Sequence, residues 1–125
     1  MAFEIIWKGN GLHRVFTDKT SGDEVLRSNL RIHGDSRFDD IGYVINDFTQ
    51  VLEFEISHFD INRIVAVDNA AALSNASLNI AIVATLEPLL DWIHVYGEKM
   101  QDSPFNCKIF DNVHDAYQWC TDSLS

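Results

Sequence analysis

Two short runs, Ile41–Phe48 and Leu78–Ala84, are almost continuously apolar, and each is followed by a stretch whose apolar residues recur at helical spacing. A strand covered on both faces needs such a run, because neither set of its alternating side chains meets water. Buried strands separated by helices imply parallel pairing through right-handed crossovers. The chain is therefore expected to be an α/β protein.

The amino-terminal pattern differs. Phe3, Ile5 and Trp7 alternate with Glu4 and Lys8, and Leu12, Arg14 and Phe16 alternate with His13 and Thr17, the period of two that half-buried strands require. Gly9-Asn10-Gly11 between them supplies the positive backbone angles of a tight hairpin turn. Gly9-x-Gly11 also matches the start of a phosphate-cradling loop, but such loops lead into a helix, and a strand-like segment follows here. Ser21 and Glu24 form a capping-box pair that opens a helix over about Gly22–His33, ending near Gly34.

Beyond Ile41–Phe48 the chain reads as a long acidic loop over Thr49–Ile56. Ser57 with Asp60 then caps a second helix, carried by Ile61, Ile64, Val65 and Ala70–Ala72 and ending by Asn75. After Leu78–Ala84, Thr85 is placed to cap a third helix with Pro88 in its first turn, where a missing amide hydrogen costs nothing. Leu89, Leu90, Ile93 and Tyr96 carry that helix to about Gln101. Pro104 closes a loop before a strand of Phe105, Cys107 and Ile109, and Asn112 with Asp115 opens a last helix through Val113, Ala116, Tyr117, Cys120 and Leu124.

With 125 residues, 46% of them apolar, the chain is expected to form one domain over residues 1–125. A formal net charge of -10 disfavours nucleic acid and anionic lipid surfaces as partners. The acidity is uneven: residues 35–68 hold eight acidic and two basic groups, so a protein docking there is expected to be basic. The start, Met1 to Lys8, lacks the basic region and cleavage site of a signal peptide, and Asn69–Leu86 is too polar to span a membrane. A cytoplasmic location is expected. Cys107 and Cys120 lie in apolar patterns and read as buried reduced thiols rather than a disulfide.

Several of these segments carry a resemblance. The tryptophan-bearing first strand, Thr20-Ser21-Gly22-Asp23-Glu24, Tyr43–Thr49, the alanine-rich second helix, Ile80–Val83, Phe110 and Asp115-Ala116-Tyr117-Gln118-Trp119 together resemble the SpoIIAA-like family. That family includes the STAS anti-sigma-factor antagonists and is related in fold to the lipid-carrying Sec14 domains. The resemblance implies a mixed, mostly parallel five-stranded sheet with an N-terminal antiparallel hairpin, strands added in staircase order, and about four helices largely on one face. It also implies a bacterial-type regulatory or protein-interaction module, and with no catalytic motif in the sequence no enzymatic activity is expected. In the better-known relatives a serine at the start of the helix after the central strand is phosphorylated. Ser57 is the nearest position, although the second serine and glycine of that loop are missing here.

The candidate site residues follow. Ser57 is either a helix cap or a regulated hydroxyl, and His58 beside it lacks an orienting third group for nucleophilic chemistry. Asp47 and Thr49 stand at the carboxyl end of the central strand, where open α/β sheets bind ligands, and also suit a turn. His13, His33, His58, His94 and His114 are scattered, so neither a metal nor any other cofactor is expected. On the third helix Trp92, Val95 and Tyr96 widen the apolar face, to be covered by a neighbouring helix or to form a homodimer interface. The leading expectation is a protein-binding surface around Ser57. The alternative is a carrier or sensor of a small apolar or lipid-like ligand.

Overall fold

The structure, a computed structural model, describes residues 3–122. Strands β1 (Phe3–Lys8) and β2 (Gly11–Ser21) form the opening hairpin, with Gly9 at φ +56° in its turn. Gly11 is required for a second reason: a Cβ there would run into the ring of Tyr43. Helix α1 (Gly22–His33) starts at Ser21, whose hydroxyl accepts from the Glu24 amide, and a short 3-10 turn over Ser36–Asp40 leads to β3 (Tyr43–Glu55). There follow α2 (His58–Ala71), β4 (Asn79–Val83), α3 (Glu87–Lys99), β5 (Asn106–Phe110) and α4 (Val113–Asp122). The sheet order is β1-β2-β3-β4-β5, with β1 antiparallel to β2 and every other pair parallel.

Both apolar runs become central strands, and β4 is buried along its whole length. The larger core lies between the sheet and α1 to α3; Phe16 and Phe48 stack there, with centroids 4.6 Å apart and planes 4° from parallel. Helix α4 covers the opposite face, where Tyr43, Ile45, Ala81, Val83, Ala116 and Cys120 make a second cluster.

Three local expectations are corrected. Residues 49–55 are not a loop: β3 continues through them because β2 runs on to Ser21 and offers a partner from Thr17↔Gln50 to Ser21↔Glu55. Register shifts after Val15 and Asp18 hide the alternation, and Asp18 takes φ 56° at one of them. The residue preceding α3 is Leu86 rather than Thr85, and no side chain caps that end. Helix α2 ends at Ala71, by Asn75 as expected, and the Asn75 side-chain amide donates to the carbonyls of Phe38 and Ile41. Cys107 is exposed on the edge strand β5, whereas Cys120 is buried; both are free thiols. The expected reach of α4 to Leu124 lies outside the described residues.

Candidate functional site

The inward phase of β2 carries Leu12, Arg14 and Phe16, so a guanidinium enters the same core as two large apolar side chains. Arg14 is 5% exposed and its face lies 5.0 Å from the Phe16 ring. Its donors meet neutral acceptors: Nε donates to Asn46 Oδ1 at 2.9 Å, and Nη1 donates to Ser28 Oγ at 2.6 Å and to Asn29 Oδ1. The Asn29 amide passes the connection on, donating to Asp68 Oδ1 at 3.0 Å, while the Tyr96 hydroxyl donates to Asp68 Oδ2 at 2.6 Å. His33 Nε2 stands 3.8 Å from the same carboxylate. Five elements, β2, β3, α1, α2 and α3, thus meet in one buried polar network.

Burial sets the protonation states. Desolvation raises the Asp68 carboxyl to about 6, against the lowering effect of the Tyr96 hydrogen bond, the Arg14 charge and the Asn29 hydrogen bond. Desolvation also lowers Arg14 to about 10, and lowers His33 to about 4 with help from the nearby Arg14 charge. At neutral pH the network therefore holds a charged guanidinium, a largely ionised carboxylate and a neutral imidazole. Arg14 and Asp68 need each other: removing either leaves the other charge buried and uncompensated.

Beside the network lies a cleft of about 70 Å3, partly open to solvent. The sheet floors it with Phe48, Phe54 and Ile82, Ile61 and Ile64 of α2 form one wall, and Leu89, Trp92 and Ile93 of α3 form the other. Arg14, Asn46, Asn29, Asp68 and Tyr96 form its polar inner end. Beyond Arg14 a smaller cavity of about 30 Å3 reaches His33, Phe38 and Phe105. An apolar hollow with a few convergent polar groups has the composition of a small-molecule site. It also stands near the carboxyl ends of parallel strands, where open α/β sheets place ligands.

The residues expected from sequence fall in three places. Ser57 caps α2 in a complete capping box: its hydroxyl accepts from the Asp60 amide at 3.1 Å and Asp60 Oδ2 accepts from the Ser57 amide at 3.2 Å. His58 packs against Trp92, with ring centroids 4.9 Å apart, and Trp92 and Ile56 line the cleft wall. Asp47 and Thr49 are strand residues, not a turn, and Thr49 donates to Asp47 Oδ1 through both its amide and its hydroxyl, at 2.9 and 2.6 Å. Asp47 follows Tyr43 and Ile45 on the α4 side of the sheet, away from the cleft. Tyr96, expected as an interface anchor, is instead buried with its hydroxyl bonded to Asp68, and Val95 is half-buried against the main core. Among the described residues no three His, Cys, Asp or Glu side chains are grouped to hold a metal, and no helix is long and apolar enough to cross a membrane.

This architecture is a SpoIIAA-like fold. Among solved structures, the chain is similar to an uncharacterised protein of the DUF3478 family with a SpoIIAA-like fold from Shewanella loihica PV-4, with a TM-score of 0.55 and 18% identity over 95% of this chain and 92% of that one. No family model and no curated protein matches the sequence.

Proposed function

We propose that the protein is a non-catalytic carrier or sensor of a small, mainly apolar ligand held in the cleft between α2 and α3. The observation that carries this reading is the apolar cleft ending on a buried, charged arginine. A core built only for stability is usually as well served by apolar residues, because a buried ion pair must first repay its desolvation. Catalysis is not needed to account for this arrangement, since Arg14, Asn29, Asp68 and Tyr96 are engaged with one another in a hydrogen-bonded chain. The test is a titration of small apolar metabolites into isotope-labelled protein. The methyl resonances of Ile61, Leu89 and Ile93 are expected to shift while those of Ile45 and Val83, on the opposite face, stay in place. A panel in which no member moves the cleft methyls contradicts the proposal.

A second reading is a protein-interaction surface at the β3–α2 corner, supported by exposed Leu52 and Phe59 on either side of Ser57. There Lys19 reaches Glu55 at 3.2 Å and Glu53 at 4.0 Å, so part of the acidity expected to attract a basic partner is answered within the chain. Ser57→Asp is the discriminating variant: a changed set of captured partners favours this reading, and an unchanged set counts against it.

A further inference from the structure

We infer that the ligand of this cleft is a small apolar carboxylic acid whose carboxylate is held by the Arg14 guanidinium, an inference that rests on the cleft reading above. Nε and Nη1 of Arg14 are taken by Asn46, Ser28 and Asn29, whereas Nη2 carries no hydrogen bond among the described residues. This donor belongs to a side chain 5% exposed that lines the cleft. The three acceptors it does have are uncharged, and Asp68 is joined to it through the Asn29 amide rather than by a direct hydrogen bond. A buried guanidinium with its Nη2 hydrogens unused and no carboxylate bonded to it directly can still donate to one oxygen of an anion in its plane.

The rest of the cleft narrows the class of anion. Arg14 is the sole Arg or Lys among the lining residues, Asp68 already offsets it, and burial holds nearby His33 neutral, so the two charges of a phosphate would be poorly compensated. A singly charged carboxylate adds the least negative charge to an end that already holds Asp68. Phe48, Ile61, Ile82, Leu89 and Ile93 offer the remainder of the ligand only apolar contact, which suits a short hydrocarbon chain or ring.

Hexanoate and hexanol are suitable probes, having equal chains and differing at the charged end. In calorimetric titrations of the wild-type protein at pH 7, hexanoate is expected to bind at least about tenfold more tightly, the scale of one charge-assisted hydrogen bond. Arg14→Met should abolish that advantage, and Arg14→Lys, which keeps the charge without the fork, should keep part of it. If Arg14→Met does not fold, the acid-to-alcohol ratio in the wild type decides alone. Hexanol binding as tightly as hexanoate overturns the carboxylate while leaving the cleft reading intact. Neither probe shifting the Ile61 and Ile93 methyls overturns both.

Discussion

Arg14, Asp68 and Tyr96 each occupy the inward phase of an otherwise apolar element. The signal for the first is present in the sequence: the alternation that puts Leu12 and Phe16 inside puts Arg14 inside with them. Asp68 likewise follows Ile61 and Ile64 at helical spacing, and Tyr96 follows Leu89 and Ile93. Periodicity can place each residue inward but cannot say that three elements distant in sequence point them at one another. Tyr96→Phe, which removes one donor from a buried carboxylate, is expected to cost about 1–3 kcal/mol of stability, measured by urea denaturation. An unchanged midpoint would mean that the hydroxyl is not bonded to Asp68.

The same residues set a pH dependence whose two parts oppose each other. Asp68 titrates near 6 when folded against 3.8 when unfolded, so the native state holds its proton more tightly, and the stability this provides at low pH is lost as pH rises from about 4 to 6. His33 titrates near 4 when folded against 6.5 when unfolded, so its contribution is present above about 6.5 and lost as pH falls towards 4. Asp68→Asn removes the first part and leaves the second. The variant should therefore lose stability more steeply than the wild type between pH 6.5 and 4, and parallel profiles would show that Asp68 is not shifted upward.

At the scale of elements, the boundaries legible in the sequence were those marked by local chemistry. The Gly9–Asn10 turn and the Ser21 and Ser57 caps announce themselves because each satisfies backbone needs within a few residues. The second half of β3 does not, since Glu53 and Glu55 look like loop residues until β2 is known to run beside them with Lys19 facing them. Backbone amides of residues 50–55 that face β2 are expected to resist hydrogen exchange, and exchange at loop rates would restore the loop. Ser57→Ala should cost about 1 kcal/mol through loss of the capping box, read from the thermal midpoint. A far larger loss would indicate a role beyond the cap.

At the scale of the molecule, the sequence pattern defined the α/β class and the order of elements, because parallel strands joined by helices leave few arrangements. The site was less legible. Sequence directed attention to Ser57, Asp47 and Thr49, yet the structure puts Ser57 at an exposed helix start and Asp47 on the face away from the cleft. It is the spacing of α2 from α3 over the sheet that opens the cleft, and no local pattern encodes that spacing. The half-buried Ile56 stands on the cleft wall, so a larger side chain there takes up cleft space. Native mass spectrometry of the purified wild type and of Ile56→Trp tests the binding cleft most directly. The expected result is one small molecule bound to the wild-type chain and none to the variant; a bare chain in both, or an adduct that persists in Ile56→Trp, would contradict it.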